Sequence, residues 1–271
     1  MPLAGLADIG LDIVTIDTLL GAEETSERVL VAAKAALELA GLTGRCPRYL
    51  AAFETALRAS PPYGTKAYAD AYREASADRR WMAASLITNA HGEGEGATRL
   101  WSLAACSGDE EIRELLKRHA VDESTHARYY LSFLDLALPD AVDETFRTEL
   151  RQLSPGYTMS QPLFVAEDTY GRAPTIDDFI QVNIAEIRTT IHHLLQREAL
   201  KSYCDAEALP RLMKLLDRLL NDELRHVGYT AALIEKLSAG VDLDRLIGLF
   251  CSRFGEFNAI TTQQMDRGQF D

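Results

Sequence analysis

Two copies of the pattern Glu-x-x-His are the part of this sequence best suited to chemistry. One runs from Glu123 to His126 and the other from Glu223 to His226, and an aspartate precedes each copy. Residues three apart share a face of a helix, so each copy can direct a carboxylate and an imidazole toward one metal ion. A single copy would mean little, but two copies in the same context are much less expected by chance.

Both copies lie on the apolar stripe of a long amphipathic segment. Glu123 is in helical register with Leu116 and Phe133, and Glu223 is in register with Leu216 and Leu233. A carboxylate on such a stripe is costly to bury unless it is paired or coordinated. We therefore expect these residues to face a buried partner rather than solvent.

The same test selects one acid on each of two further long segments. Glu93 is the one acid of an apolar row, whereas the row through Glu95 is polar and is expected to face solvent. Glu186 is likewise the one acid of its row. Two single glutamates and two Glu-x-x-His motifs form the donor set of a dinuclear carboxylate site in a four-helix bundle. The predicted ligands are Glu93, Glu123, His126, Glu186, Glu223 and His226.

Oxygen-rich ligands with two imidazoles suit iron or manganese better than a thiolate-seeking metal. The competing interpretation is a set of buried ion pairs that only holds the helices together.

The elements that must position these ligands are helices. Apolar residues recur at intervals of three and four with almost no sustained alternation, which predicts an all-α fold. The predicted helices span residues 26–39, 47–59, 65–77, 81–106, 109–138, 174–202, 209–238 and 242–257. The run His91 to Gly96 contains three glycines, yet the flanking period continues through it in register, so we predict helix there and room beside Glu93 for a neighbouring helix or a substrate.

Four long helices in two tight hairpins predict a four-helix bundle. A long crossover, with a short helix around 144–153, is expected to join the hairpins. We expect one domain over 1–271: an N-terminal helical extension to about residue 80, a di-metal bundle over 81–238, and a C-terminal helix and tail over 239–271.

Composition limits the classes of partner. The 271 residues include 41 acids against 28 lysines and arginines, a formal net charge of −13, which makes nucleic acid and anionic membranes poor partners. The four cysteines are scattered, which argues against a disulfide framework or a zinc knuckle. The first twenty residues lack the basic start of a signal peptide, so we expect a cytoplasmic protein.

The doubled motif resembles that of the ferritin-like di-iron carboxylate proteins, and in its spacing it is similar to the p-aminobenzoate N-oxygenase family of arylamine oxygenases. The form is Glu93, 28 residues, then Asp-Glu-x-x-His, and Glu186, 35 residues, then the same. The resemblance covers about half of the chain. Those oxygenases have a further histidine ligand one turn before the second motif, where this chain has Leu219.

Two other histidines lie close to the predicted ligands in sequence. His119 stands one turn before the first motif, and His193 is on the row of Glu186. Each could be a seventh ligand, but a packed, hydrogen-bonded histidine is the favoured interpretation for both.

Several residues are assigned supporting roles. Asp122 and Asp222 could fix the ligand imidazoles by accepting their second N–H. The form Asp-Glu-x-Arg-His resembles bacterial multicomponent monooxygenases, which suggests Arg225 as an ion-pair partner for one of these aspartates. Thr190 matches an active-site threonine of those enzymes, and Tyr130 resembles the placement of the radical tyrosine in the ribonucleotide reductase small subunit, although core packing is favoured for Tyr130. The predicted pocket residues are Thr190, Asn183, Tyr130, Gly94 and Ala97.

The resemblance implies an enzyme that uses two iron ions, with manganese or a mixed pair as alternatives, and O2 to oxidise a small organic substrate. Amine N-oxygenation or hydroxylation in specialised metabolism is the leading hypothesis, and desaturation or oxidative cleavage is its close alternative. The chain contains no flavin, dinucleotide or cysteine-rich motif, so an external reductase or ferredoxin-type protein would supply electrons; a homodimer is expected. The other hypotheses are a ferroxidase that handles iron and a structural subunit without catalysis.

Overall fold

The protein is all-helical throughout the part that the structure describes. A computed structural model describes residues 13–145, 148, 172–268 and 270, and these residues form nine α-helices and no strand. The all-α prediction is confirmed. The helices are α1 (Ile13–Gly21), α2 (Arg28–Leu39), α3 (Pro47–Ala56), α4 (Lys66–Ser76), α5 (Arg79–Cys106), α6 (Glu110–Ala137), α7 (Ile176–Tyr203), α8 (Leu209–Leu237) and α9 (Leu243–Arg267). Single 3₁₀ turns cover Leu57–Ala59, Pro62–Gly64 and Ser238–Gly240.

The helix ends follow local chemistry. Asp78 and Asp109 are N-caps whose carboxylates accept the first free N–H groups of α5 and α6, at 2.8 and 2.9 Å. At the start of α7, Asp178 accepts the backbone N–H and the hydroxyl of Thr175, both at 2.7 Å, which is the reciprocal half of a capping box. Gly268 ends α9 with a φ of 64°, a conformation that favours glycine. These caps provide partners for backbone groups that a helix end leaves without an intrahelical hydrogen bond.

Two elements differ from the prediction. Helix α1 has no counterpart among the predicted helices, and α9 continues to Arg267 instead of ending at 257. The later turns of α9 are polar, but Thr261 is fully buried and Gln264 accepts a hydrogen bond from Arg188, so tertiary contacts support helix where the apolar period had faded. The predicted crossover and its short helix over 144–153 lie mostly outside the described residues.

The chain forms two compact units. The central unit contains the described residues of 74–174 and 197–219, where α5 and α6 pack along each other. This unit has a buried hydrophobic core that includes Leu219, the residue at the place of the further histidine predicted from the arylamine oxygenases. The large side chains of this core are Met82, Leu86, Tyr130, Phe133, Leu134, Leu138, Leu200, Leu212, Leu216 and Leu219.

The terminal unit contains the described residues of 1–73, 175–196 and 220–270. Its core is aromatic: Phe53 of α3 meets Phe250 and Phe254 of α9 edge-on, with ring centroids 5.8 and 5.4 Å apart. Helix α8 approaches α2 so closely that a Cβ at Gly228 would lie 2.9 Å from that of Ala40, which explains a glycine in mid-helix. None of the described helices has the length and apolar character needed to cross a lipid bilayer.

Candidate metal centre

The central unit brings three predicted ligands together, and we call Glu93, Glu123 and His126 the central group. Nδ1 of His126 lies 3.6 Å from a carboxylate oxygen of Glu123 and 3.9 Å from one of Glu93. Two atoms bound to one ion at about 2.1 Å can be at most about 4.2 Å apart. Both distances from His126 are within this limit, and ligand atoms from all three residues lie within 4.8 Å of one another, so the group could hold a metal ion.

The exposed fractions of the side chains show which glutamate of α5 faces the protein interior. The side chain of Glu93 is 10% exposed, whereas that of Glu95, two residues later, is 60% exposed and that of His91 is 77% exposed. The expectation that Glu93 faces inward and Glu95 faces solvent is confirmed. Helix α5 is also unbroken through all three glycines of this run, as predicted.

A glycine gives the central group room. A Cβ at Gly96 would lie 3.4 Å from a carboxylate oxygen of Glu123, whereas a Cβ at Gly92 would meet no described atom within 4 Å. Gly94, which the sequence suggests as a pocket residue, is buried, and its pocket role stays a prediction. The spacing of Gly96 from Glu93 was a usable signal, because residues three apart share a helical face.

His119 supports the Glu123 carboxylate. Its Nε2 lies 3.1 Å from Oε1 of Glu123, within hydrogen-bond distance, and the ring is completely buried. Burial alone would raise the pKa of Glu123, but hydrogen bonding with Glu93, His119 and His126 outweighs it and holds that pKa well below the usual range. Glu123 is therefore an anion at neutral pH, as a metal ligand must be.

The terminal unit repeats the arrangement, and we call Glu186, Glu223 and His226 the terminal group. Nδ1 of His226 lies 3.6 Å from a carboxylate oxygen of Glu186 and 3.7 Å from one of Glu223. The side chains of Glu223 and His226 are 1% and 2% exposed, and that of Glu186 is 12% exposed. His193 of α7 lies near this group, with its Nε2 3.5 Å from Oε1 of Glu223.

Both groups have the same chemistry, namely two carboxylates facing one imidazole nitrogen. No cysteine belongs to either group, and all four cysteines are free thiols. Hard oxygen donors with one imidazole are suited to Fe²⁺ or Mn²⁺ and also accommodate Zn²⁺. The central group is a buried His/Glu cluster that could bind a metal ion, and in the terminal group two carboxylates lie close to one imidazole nitrogen.

The second Asp-Glu-x-x-His motif carries a local ion pair. Arg225 donates to Asp222 at 2.6 Å, and both side chains are mostly buried. Asp122, its counterpart in the first motif, is half-buried. The predicted acceptance of ligand imidazole N–H groups by these aspartates stays a prediction.

The predicted pocket residues are buried, and three of them have partners within their own unit. The hydroxyl of Thr190 donates to the carbonyl of Glu186 at 2.8 Å, and Tyr130 packs edge-on against Phe133, with ring centroids 5.7 Å apart. Asn183 has three hydrogen bonds, described below. Ala97 is 3% exposed. A pocket role for these residues stays a prediction.

Comparisons with family models, curated proteins and solved structures find no significant match to this chain. The resemblance to the arylamine oxygenases therefore rests on the motif and its spacing.

Proposed function

We propose that this protein is an O2-activating non-haem di-iron oxygenase that oxidises a small organic substrate, with amine N-oxygenation or hydroxylation as the reaction. The observation that carries the proposal is the repeated buried group: a glutamate and a Glu-x-x-His motif in each unit, with the imidazole Nδ1 within 3.9 Å of two carboxylates. The proposal includes the ferritin-like bundle that the sequence predicts.

Charge balance supports a divalent metal. A central group with both carboxylates ionised carries two buried negative charges, which is costly without compensation. One divalent cation neutralises them, and the same holds for Glu186 and Glu223 in the terminal group. Two ions per chain would therefore leave both groups neutral with their histidines uncharged, which is the protonation state that metal binding requires.

The protein side of the proposal is ligation and orientation. Glu93, Glu123 and His126 would hold one ion, and Glu186, Glu223 and His226 would hold the second. When bound, the pair of iron ions would supply the redox chemistry with O2, using electrons from an external donor. His119 would keep Glu123 in place, because a hydrogen bond to a ligand carboxylate limits its rotation.

Metal content and spin coupling test the centre itself. The protein is loaded anaerobically with ⁵⁷Fe²⁺, and the expected result is about two ions per chain with a Mössbauer spectrum after oxidation that shows a spin-coupled ferric pair. One ion per chain, or uncoupled ferric ions, would contradict the dinuclear centre.

Product analysis tests the reaction. Loaded protein, a chemical reductant and ¹⁸O2 are incubated with a panel of aromatic and aliphatic amines, and mass spectrometry is expected to find a product that carries ¹⁸O. Mineralised iron in cage-sized particles without organic product would support the ferroxidase instead. The Glu123→Ala protein is the matched control, in which the labelled product should be absent.

A further inference from the structure

A chain of buried hydrogen bonds connects α3 to the two helices that carry the terminal group. The hydroxyl of Tyr49 donates to Oδ1 of Asn183 at 2.9 Å. The amide nitrogen of Asn183 donates to the carbonyl of Val227 at 3.0 Å and to Oγ1 of Thr230 at 2.9 Å. The hydroxyl of Thr230 lies 2.7 Å from the carbonyl of His226, to which it donates. The chain therefore ends on the backbone of a predicted ligand.

The positions of these residues relate them to the ligands. Asn183 stands one turn before Glu186 on α7, and Thr230 stands one turn after His226 on α8. Asn183 and Thr230 are both completely buried. A side chain that bridges two helices at this point fixes their axial register and rotation, and therefore the separation of 3.6 Å between Glu186 and His226.

Tyr49 is itself held firmly. Its ring is fully buried, stacks on Phe53 at 5.5 Å and meets Phe250 edge-on at 5.8 Å. Its backbone N–H donates to Glu235 of α8 at 2.9 Å. Burial raises the pKa of the Tyr49 phenol far above its usual range, so the hydroxyl keeps its proton and stays a donor.

We propose that Tyr49, Asn183 and Thr230 are positioning residues for the terminal group: they hold α7 and α8 in the register that lets Glu186 and His226 share a metal ion. The inference deepens the proposed function and rests on it. It also gives the N-terminal helices a part in the metal centre, because Tyr49 belongs to α3. Asn183 then acts through Glu186 and His226 rather than as a wall of a substrate pocket.

Tyr49→Phe and Tyr63→Phe are a matched pair for the test. Both tyrosines are fully buried in the terminal unit, and the Tyr63 hydroxyl has no hydrogen-bond partner in the part of the chain that the structure describes. Co²⁺ is titrated into the metal-free protein, and affinity and ligand-field absorption are recorded together with circular dichroism. We expect Tyr49→Phe to weaken one of two Co²⁺ sites about 5- to 10-fold and to shift its absorption bands, since one buried hydrogen bond is lost. Tyr63→Phe should leave both readouts unchanged.

Thr230 supplies a rescue test. Thr230→Val removes the hydroxyl that bridges Asn183 to the His226 carbonyl and should weaken the same Co²⁺ site about tenfold. Thr230→Ser keeps the hydroxyl and should restore both affinity and spectrum. Wild-type protein that takes up two Co²⁺ while Tyr49→Phe and Thr230→Val match it in affinity and spectrum would overturn the inference and leave the proposed function standing. Wild-type protein that takes up no Co²⁺ would contradict the metal centre and the inference with it.

Discussion

The central and terminal groups contain the same residue types but have their neighbouring histidines in different places. In the central group the supporting histidine, His119, lies on the same helix as Glu123, one turn earlier. In the terminal group His193 lies on the other helix and reaches Glu223 across to α8. The contact between a histidine and a motif glutamate thus depends on the geometry of one helix in the central unit and on the packing of two helices in the terminal unit.

Their glycines show the same contrast. Gly96 borders a predicted ligand, since an added Cβ would lie 3.4 Å from the Glu123 carboxylate, whereas Gly228 borders α2, where an added Cβ would lie 3.3 Å from the carbonyl of Ala36. Gly96 leaves space beside the candidate metal site, whereas Gly228 allows two helices to pack closely. The two groups contain the same residue types, but because their neighbours differ we expect them to respond differently to substitutions nearby.

The largest expected effect is the loss of a ligand. Glu123→Ala and Glu223→Ala should each reduce iron from about two ions per chain to one or fewer, because a buried carboxylate that binds the ion directly is removed. Metal analysis after anaerobic loading measures this. If either variant still holds two ions, its glutamate is not a ligand.

The next effect separates the two histidines. His119→Ala and His193→Ala should weaken metal binding about 10- to 100-fold, the range for residues that orient a ligand. His119 should have the larger effect, because its contact with Glu123 is 3.1 Å against 3.5 Å for His193 and Glu223. Titration with Mn²⁺ followed by electron paramagnetic resonance provides the affinities; equal losses would contradict the distinction between the groups.

The glycines give effects of opposite sign. Gly92→Ala and Gly96→Ala should both stabilise the metal-free protein by about 0.5–1 kcal/mol, since alanine favours helix over glycine. Only Gly96→Ala should also weaken metal binding, because its Cβ restricts the Glu123 carboxylate. Gly228→Ala should instead destabilise the protein by about 1–3 kcal/mol through overpacking. Urea unfolding and Mn²⁺ titration test all three; a Gly228→Ala protein as stable as the wild type would remove the contrast.

The smallest expected effect is at Glu95. Glu95→Ala should leave metal content unchanged and alter stability by no more than about 0.5 kcal/mol, because the side chain is 60% exposed. Lost metal in this variant would mean that the other face of α5 carries the ligand.

Sequence reasoning was accurate where periodicity carries the signal. The long helices, the unbroken α5 and the burial of Glu93 beside an exposed Glu95 all follow from which residues share an apolar row. It was weaker where the signal is a contact between distant segments. The extension of α9 depends on Arg188 meeting Gln264, and the partners of Asn183 lie 134 residues before it and 44 and 47 residues after it.

The sequence by itself determined the helices, their buried faces and the donor types on those faces, because helical spacing and the cost of burying charge are local properties. Only the tertiary structure decided the contacts between helices: that His193 of α7 lies near Glu223 of α8, that Gly96 of α5 borders Glu123 of α6, and that Asn183 is hydrogen-bonded to Tyr49 and Thr230. Those contacts depend on the rotation and register of packed helices, and neither is encoded in the spacing along a single helix.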